Sequence, residues 1–369
     1  IHLVINELKK RGHKVLLASA GEFSGIDTIK IKNVEKWPYF LRKIYLKKQF
    51  AKIIKKYSID LITPQDSTTT PAAVLAAKQC GIASVVHMRD LWFACPRSSC
   101  LKPDYSECTH CSLKNLISCA KWQRLPIDLY KWHNTKKIWK LINKAEEKIV
   151  VSNAVKDKLA ACGIKNNINV VHGARNYRDF QNIKGVKAFK AKYKLKPVVV
   201  TFIGSFFYTK GILQVLKFMP DILRNNKNVS LMLVGDGPLY GAVKGIIKNE
   251  GIGKQVVLTG RLPFDKMPLC YAASDILLAP HLWTEPLGAT IIEASAAGKA
   301  SLISEKGGPS DFKGRFDYIL PPEDTKLWGK TVSYLINHPS ERKRIGIKAR
   351  KSTQEMSVEP YMNRLEQIY

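Results

Sequence analysis

"PVVVTFIGSFFYTKGILQVLKFM", residues 197–219, decides the fold class of this 369-residue chain. A short β-branched run ends at Gly204, and an apolar pattern with helical spacing starts near Lys210 and Gly211. A strand, a glycine turn and a helix in this order predict a βαβ unit of a parallel sheet. The start of the helix could seat an anion beside Lys210, although an ordinary strand-to-helix turn explains the same pattern. The dinucleotide fingerprint G-x-G-x-x-G is absent here.

The same alternation of strand and helix patterns extends along the chain in both directions. Further strand-like runs are "HKVLLASA", "DLITP", "ASVVHM", "KIVVS", "INVVH", "VSLMLVG", "QVVLTG", "DILLAP" and "ASLIS". These are too many strands for one ordinary open sheet, and the polar segment 172–197 contains none of them. The predicted fold class is therefore α/β, with two doubly wound Rossmann-like domains that face a cleft.

The predicted domain boundaries follow from that polar break. We expect a first domain over residues 1–176, a linker over 177–196, a second domain over 197–350 and a C-terminal helix over 351–369 that could cross back to the first domain. The chain opens without Met on "IHLVINELKKRGHKVLLASA", which predicts a helix, a turn and a strand. We therefore expect that the first strand of the first domain is missing.

The charge and composition limit the possible classes of protein. Sixty Lys and Arg face thirty Asp and Glu, for a net charge of +30. This excess favours an anionic partner such as a lipid surface, a phosphorylated substrate or nucleic acid, and the alternative is a general Lys bias that only aids solubility. No apolar run approaches the ~18 residues of a membrane span, and no signal peptide is evident. We expect a cytoplasmic protein, either free or peripheral on the inner face of the membrane.

The segment "APHLWTEPLGATIIEASAAGK", residues 279–299, places two acids on either side of a glycine turn. A helix is predicted to begin near Gly288 and Ala289, with Glu285 before it and Glu293 one turn inside it. Backbone N–H groups at a helix start, here those of residues 287–289, can hold a diphosphate. Carboxylates accept hydrogen bonds from sugar hydroxyls, so the spacing suits a nucleotide-activated sugar.

This segment resembles the Glu-x7-Glu signature of retaining GT-B glycosyltransferases, the large group 1 family that includes bacterial mannosyl- and glucosyltransferases. "RGHKVLLAS", "VVSNAVKDKLAACGI", "IGSFFYTKG", "VGDGP", "TGRL" and "EKGGPSDF" resemble further motifs of that family in the same order. The resemblance therefore covers nearly the whole chain. The resemblance implies transfer of a hexose from a nucleotide diphosphate sugar. It also implies that catalysis requires no metal or other cofactor.

The resemblance also implies roles for individual residues. Glu293 would bind the ribose, Glu285 would contact the donor sugar near the reacting carbon, and Lys210 would neutralise the diphosphate. Ser205 stands where the family usually has Arg, and its hydroxyl supplies no charge. The other donor-binding positions that the resemblance implies are Gly204, Gly211, Gly260, Arg261, Pro286, Leu287, Gly288, Ala289 and Thr290.

In the first half, "SVVHMRDLWFACPR" places three polar residues at the end of a predicted strand. The family often has His or His-Asp here, in contact with the donor sugar. Arg89 and Asp90 align with that pair and are predicted to act in catalysis, with His87 as the reserve candidate. The alternative is that Arg89 and Asp90 only pair with each other.

Five cysteines crowd one loop, residues 95–119. Cys95, Cys100, Cys108, Cys111 and Cys119 include one Cys-x2-Cys, and His110 lies among them. A structural zinc site is one hypothesis, and unmodified thiols or loop disulfides are the alternatives.

A basic segment, residues 33–57, carries eight Lys or Arg and one acid. Its predicted apolar stripe is Phe40, Leu41, Ile44, Tyr45, Ala51, Ile54 and Tyr57. An outward Lys face could contact anionic lipid head groups, which would suit a lipid-linked acceptor.

The leading hypothesis is thus a retaining hexosyltransferase that uses a UDP- or GDP-sugar to build a cell-surface glycan or glycolipid. The alternatives are a basic nucleic-acid-binding α/β protein and another GT-B enzyme such as a sugar-nucleotide epimerase or a phosphorylase. Base stacking would need clustered aromatic residues and Arg, whereas this chain is dominated by Lys, so no nucleic-acid partner is expected.

Overall fold

A computed structural model describes residues 2–21, 23–102, 104, 106–108, 111–119 and 122–369. The chain divides into two compact units. Unit 1 consists of Ile1–His172 together with Glu359–Tyr369, and unit 2 consists of Gly173–Val358. The C-terminal segment therefore belongs to unit 1, although it follows unit 2 in sequence.

The first 172 residues alternate between short strands and helices. The strands are β1 (Leu17–Ser19), β2 (Thr28–Lys30), β3 (Leu61–Ile62), β4 (Ala83–Met88), β5 (Glu147–Val150) and β6 (Ile168–Val170). The helices are α1 (His2–Lys10), α2 (Tyr39–Tyr57), α3 (Thr70–Cys80), α4 (Leu113–Cys119), α5 (Leu125–Ile142) and α6 (Asn153–Ala161).

The same alternation continues through unit 2. Its strands are β7 (Val198–Ile203), β8 (Val229–Val234), β9 (Val256–Gly260), β10 (Ile276–Ala279), β11 (Ala300–Ser304) and β12 (Ile319–Leu320). The helices from here to the end of the chain are α7 (Val186–Lys192), α8 (Ile212–Asn225), α9 (Tyr240–Asn249), α10 (Met267–Ala273), α11 (Ala289–Ala296), α12 (Thr325–Asn337), α13 (Pro339–Thr353) and α14 (Val358–Ile368).

Every strand pair in the described residues is parallel. In unit 1 the strand order is β3-β4-β5-β6, with β1 and β2 in a separate pair. In unit 2 the order is β12-β11-β10-β7-β8-β9. The sequence order reverses where β10 meets β7, and ligands of open α/β sheets bind at the carboxyl ends of the strands at such a point.

Burial on both faces explains the apolar strands of unit 2. The strand β8 is buried at every position, as expected when helices cover both faces of a parallel sheet. The helix α8 contributes Ile212, Val215, Met219 and Ile222 to the same core cluster, and their spacing of three or four residues places them on one face. This packing fixes the ends of β7 and α8 between which the Lys210 turn lies.

The structure confirms the ten strands predicted from the sequence and adds β2 and β12. Those two strands are three and two residues long, too short to show a period of their own. The segment 177–196, predicted as a linker, has no strand and contains a 3-10 turn and α7.

The predicted stripe on the basic helix is wrong in part. Ala51 and Ile54 are buried as expected, but Ile44 and Tyr57 are 52% and 42% exposed. Leu46 and Phe50 complete the buried face instead, because steps of four residues from position 46 to 54 follow one side of α2. The side chain of Phe40 lies outside the described residues.

Candidate active site

The carboxyl ends of β7 and β10 approach each other closely in unit 2. Gly211 has a φ of +76°, and a Cβ there would lie 1.9 Å from the Pro280 carbonyl oxygen. The backbone N–H of Leu282 also donates to the Thr209 carbonyl at 2.9 Å. A side chain at position 211 would separate the two turns, so glycine is required for the Lys210 turn to meet the segment after β10.

Glu285 is bound by two donors within this edge of the sheet. Its Oε2 accepts a hydrogen bond from Lys210 Nζ at 2.6 Å and one from Trp283 Nε1 at 2.9 Å. Lys210 Nζ also lies 5.1 Å from the centre of the Trp283 ring. Glu285 is only 8% exposed, whereas the Lys210 side chain is 27% exposed, so solvent reaches the ion pair from the lysine side.

The electrostatic environment keeps Glu285 ionised. Burial alone would raise its pKa, but the Lys210 ammonium and the two hydrogen bonds together hold the pKa below its ordinary value. His281 Nε2 lies 3.7 Å from Glu285 Oε2. Burial lowers the pKa of His281 to about 4, so this imidazole is neutral at neutral pH and the charged pair is Lys210 with Glu285.

Glu293 is held at both oxygens. Arg175 Nε donates to Oε1 at 2.9 Å, and the Tyr271 hydroxyl donates to Oε2 at 2.8 Å. Burial and the Glu293 charge raise the pKa of Tyr271 well above its ordinary value, so the hydroxyl keeps its proton and remains a donor. An ionised carboxylate has about four lone-pair positions, so two remain for a ligand.

The amino end of α11 lies between these two acids along the chain. Gly288 precedes the helix with a φ of +80° and provides no side-chain cap. The N–H groups of the first turn are the unpaired donors that bind anions at a helix start. The structure therefore confirms the helix start that the sequence predicts.

The second glycine turn, Gly307–Gly308, fixes the backbone around Glu285. The N–H of Gly308 donates to the Glu285 carbonyl at 2.7 Å. A Cβ at Gly307 would lie 2.3 Å from that carbonyl oxygen, and one at Gly308 would lie 2.2 Å from the Pro286 oxygen. Only glycine permits this contact, which holds the residues before α11 in place.

Three further glycines lie side by side at the same edge of the sheet. The N–H of Gly235 donates to the Gly260 carbonyl at 3.0 Å, and a Cβ at Gly235 would lie 1.9 Å from the Gly204 oxygen. Gly204 and Gly235 follow β7 and β8, and Gly260 is the last residue of β9. Ser205 and Arg261 come directly after two of these glycines and are exposed.

The predicted site residues of unit 2 thus divide into three groups, of which the first, Gly204, Ser205, Gly260 and Arg261, lies at the ends of β7 and β9. Lys210 and Glu285 are in direct contact, and Gly211, Pro286, Leu287, Gly288, Ala289, Thr290 and Glu293 belong to the turns and the helix around them. Sequence reasoning missed His281, Trp283, Tyr271 and Arg175, all of which touch the two acids. The sequence could have indicated Trp283 and His281 as neighbours of Glu285, because both lie within four residues of it.

In unit 1, the predicted catalytic residues lie at the end of β4. His87 is 2% exposed, and its Nε2 lies 3.0 Å from the hydroxyl oxygen of Tyr369. Burial, together with the Arg89 charge, lowers the pKa of His87 to about 3. Burial raises the pKa of Tyr361 although the nearby Arg89 charge opposes the rise, and Asp90 accepts the Trp92 N–H at 2.8 Å. Arg89 and Asp90 are exposed, and their part in catalysis stays a prediction.

The cysteine loop surrounds a cavity of about 460 Å³ in unit 1. Its walls include Cys95, Cys100, Cys108 and Cys111, and also Cys162, which the sequence placed far from the loop. All eight cysteines lie in the described ranges, and none forms a disulfide. His110, named as a neighbour of the cysteines, lies outside the described residues.

Comparison with solved structures shows that the chain has the GT-B fold of glycosyltransferases. A glycosyltransferase from Rickettsia africae ESF-5 matches 100% of this chain and 92% of its own, with a TM-score of 0.78 and 18% identity. Anabaena Alr3699/HepE, solved in complex with UDP-glucose, matches 99% of this chain and 94% of its own, with a TM-score of 0.75 and 16% identity.

Family models then define the particular family. The model of "Glycosyl transferases group 1" matches residues 184–352, and that of "Glycosyltransferase Family 4" matches residues 1–176. The chain belongs to the group 1 glycosyltransferases. The 2-deoxystreptamine glucosyltransferase of Streptomyces kanamyceticus is 26% identical over 144 residues, which are 38% of this chain and 37% of that relative's length. The chain thus matches little more than a third of this curated relative.

Proposed function

We propose that this chain transfers a hexose from a UDP- or GDP-linked donor to a glycan or a lipid-linked acceptor, with retention of anomeric configuration. One observation carries the proposal. Two buried carboxylates, each held by a cation, flank a helix amino end without a side-chain cap, at the point where the strand order of unit 2 reverses. This arrangement matches the charge pattern of a nucleotide diphosphate sugar.

Each charged group then has a defined task in donor binding. The diphosphate binds the N–H groups at the start of α11, and Lys210 neutralises part of its charge. The ribose hydroxyls donate to the lone pairs of Glu293 that Arg175 and Tyr271 leave available. Arg175 also supplies a cation near the donor, which compensates in part for the missing charge at Ser205.

The chemistry proposed for the site is displacement of a nucleoside diphosphate. The bond between the anomeric carbon and the diphosphate oxygen breaks through an oxocarbenium-like transition state, while the acceptor hydroxyl oxygen bonds to that carbon on the same face. The hydroxyl proton passes to the departing diphosphate oxygen, so the products are the glycoside and the nucleoside diphosphate. Lys210 and the α11 amino end stabilise the negative charge that develops on the leaving group. Glu285 lies beside Lys210 and holds the sugar hydroxyls near the reacting carbon.

Ligand-induced stabilisation tests donor binding. UDP, GDP and UDP-glucose are added in turn, with UDP-glucose included because the Anabaena relative was solved with it. A ligand at 100 times its Kd stabilises the folded state by about 2.7 kcal/mol, so the melting temperature should rise with at least one nucleotide. A rise with duplex DNA and none with any nucleotide would overturn the proposal. Glu250→Ala in unit 2 is the control, since Glu250 pairs at the surface with Arg224.

We also propose that the exposed face of α2 rests on an anionic membrane. None of the helices in the described ranges combines the length and apolar character needed to cross a bilayer. The exposed side chains of α2 are Lys43, Ile44, Lys48, Lys52, Lys55, Lys56 and Tyr57. Each Lys near an anionic surface contributes up to about 1 kcal/mol, and the exposed Ile and Tyr suit the interface.

Sedimentation with vesicles tests this surface. The parent chain should bind phosphatidylglycerol vesicles and not phosphatidylcholine vesicles, and Lys48→Glu/Lys52→Glu/Lys55→Glu should reduce binding at least tenfold. The control reverses three exposed lysines of α12 and α13, as Lys326→Glu/Lys330→Glu/Lys343→Glu. Equal loss of binding in both variants would show that net charge alone is responsible and would contradict a role of α2.

A further inference from the structure

The segment after β10 places a buried histidine beside the Glu285 carboxylate and the Lys210 ammonium, all within unit 2. We infer that binding of the donor is coupled to the uptake of one proton by His281, which then replaces Lys210 as the cation beside Glu285. Because this coupling needs a diphosphate that competes for Lys210, it rests on the proposed function.

Lys210 supplies the full positive charge that Glu285 contacts in the described part of the chain. Its Nζ donates to Oε2 at 2.6 Å, whereas the indole of Trp283, which donates to the same oxygen at 2.9 Å, is neutral. A doubly charged diphosphate competes with a single carboxylate for this ammonium. The sugar hydroxyls that donate to Glu285 carry no charge. As Lys210 turns to the diphosphate, a buried carboxylate therefore loses the cation that compensates it, which is a costly state.

His281 lies where it can restore the charge balance. It is 5% exposed, and its Nε2 lies 3.7 Å from Glu285 Oε2, just beyond the range of a hydrogen bond. The backbone next to it is fixed, because the N–H of Leu282 donates to the Thr209 carbonyl at 2.9 Å. A small movement of either side chain therefore suffices to form an ion pair once the ring is protonated.

The two ring nitrogens of His281 differ in their surroundings. Because Nε2 faces the carboxylate, we assign the hydrogen of the neutral imidazole to Nε2. Nδ1 is buried and has no hydrogen-bond partner within the described ranges. The lone pair of Nδ1 is therefore the position that receives a proton from the buffer, and the neutral ring becomes an imidazolium.

Among the described residues, two charged groups act on His281, and they oppose each other. Glu285, on the same segment, favours the protonated ring, whereas Lys210, on the turn after β7, disfavours it. Burial outweighs both and lowers the pKa of His281 to about 4 in the absence of a ligand. Lys306, on the turn after β11, pairs with Glu323. Movement of Lys210 onto a diphosphate neutralises the opposing charge and adds negative charge nearby, so both changes raise the pKa of His281.

Titration calorimetry with UDP-glucose tests the coupling in the full chain, and GDP-mannose is the second probe. Both nucleotide sugars lack the terminal phosphate that ionises near about pH 6, so they bring no proton of their own. The binding enthalpy is measured at about pH 6.5, the ordinary pKa of histidine, in phosphate and in Bis-Tris, which differ in ionisation enthalpy. The difference gives the number of protons taken up, and we expect roughly half a proton or more per bound donor.

Variants then locate the proton. His281→Gln removes the group that accepts it and Glu285→Gln the carboxylate that attracts it, so both should abolish most of the uptake. His338→Gln, at an exposed histidine of unit 2, should leave the uptake unchanged. Uptake that persists in His281→Gln, or binding to the parent chain without uptake, would overturn the coupling and leave the donor site standing. Binding of neither nucleotide sugar would contradict the donor site and the coupling together.

A measurement without ligand keeps the test decisive should the His281 variant fail to fold. Lys210→Met imitates the loss of the cation, so the pKa of His281 should rise from about 4 towards 6.5. Nuclear magnetic resonance titration of the histidine rings follows this change, and Lys217→Met at an exposed lysine is the control. If Glu285 takes the proton instead, the titration of His281 stays as in the parent chain, and the role of His281 is refuted.

Discussion

The two units use the polar groups at the carboxyl ends of their strands in different ways. In unit 2, Lys210 pairs with Glu285 and Arg175 pairs with Glu293, so charged groups contact one another around the start of α11. In unit 1, His87 contacts Tyr369 and Arg89 lies near Tyr361, two tyrosines of the C-terminal segment. Unit 2 thus presents a charge pattern suited to a ligand, whereas packing occupies part of the corresponding edge of unit 1.

This contrast favours unit 2 as the location of the donor chemistry. Ion pairs between residues distant in sequence are held in unit 2 by glycine turns whose backbones touch. The charged groups of such a site are already oriented before a ligand arrives, which is the arrangement that favours electrostatic catalysis. Unit 1 offers instead a thiol-lined cavity and a basic helix face.

The largest effect is expected for the cation beside the leaving group. Lys210→Met removes the charge that neutralises the diphosphate, and turnover should fall about 10²–10³-fold, the usual cost of losing one such group. The measurement is the initial rate of nucleoside diphosphate release from the best donor. Lys217→Met, an exposed Lys on α8, is the control. Unchanged turnover in Lys210→Met would remove the main reason to locate catalysis in unit 2.

A smaller effect is expected for the turn that joins β7 to the segment after β10. Gly211→Ala adds a Cβ 1.9 Å from the Pro280 oxygen, at a φ of +76°. Strain and overpacking together should lower the free energy of unfolding by roughly 2–4 kcal/mol, measured by urea denaturation. Gly241→Ala on α9 has open space around the new Cβ and should be neutral or slightly stabilising. Equal stability of the two variants would show that the turns are not closely packed.

Tyr271→Phe tests whether Glu293 needs both of its donors. The change leaves Glu293 Oε2 without its buried partner and should cost roughly 1–3 kcal/mol of stability. If Tyr271 has only a structural role, the substitution should lower stability and leave the kinetics unchanged. If Tyr271 orients Glu293, the KM for the donor should also rise, with little change in kcat. Steady-state kinetics separate the two cases, and Tyr334→Phe at an exposed tyrosine is the control. A loss of stability with an unchanged KM would contradict the orienting role.

The buried histidines give each unit its own sensitivity to acid. Burial lowers the pKa of His281 to about 4 and that of His87 to about 3, from an ordinary 6.5. Between pH 6.5 and those values, the two histidines bind protons in the unfolded chain but not in the folded chain. Their contribution to stability is therefore complete above pH 6.5 and decreases as the pH falls. Each histidine contributes a slope of up to about 1.4 kcal/mol per pH unit.

Single substitutions assign these slopes to the two units. His281→Gln should reduce the acid sensitivity of unit 2, and His87→Gln that of unit 1, in unfolding experiments between pH 4 and 7. The exposed His2→Gln is the matched control. Slopes that remain unchanged in both buried-site variants would contradict the neutral state assigned to these histidines.

The sequence predicts those features that depend on residues close together in the chain. The strand, turn and helix around Lys210, and the helix start at Gly288, follow from local apolar spacing and glycine placement. Glu285 and Glu293 could be singled out because the same local pattern fixes their distance from that helix start. The fold class follows for the same reason, since repeated βα patterns specify parallel sheets.

Long-range contacts explain what could not be predicted. Arg175 contacts Glu293 across 118 positions of sequence, so no local pattern connects them. Tyr271 looks like an ordinary core residue of α10, and only the fold brings its hydroxyl to Glu293. Cys162 reaches the cysteine cavity through α6, and the buried face of α2 depends on which side packs against α3.

Calorimetric titration with nucleoside diphosphates tests most directly whether the acids around α11 form the donor site. We compare the parent chain with Glu293→Ala, Glu285→Ala and the surface control Glu250→Ala. We expect Glu293→Ala to raise the Kd at least tenfold, about 1.4 kcal/mol, while Glu285→Ala and Glu250→Ala change it less than threefold. An identical Kd in the parent chain and in Glu293→Ala would contradict a nucleotide site at α11.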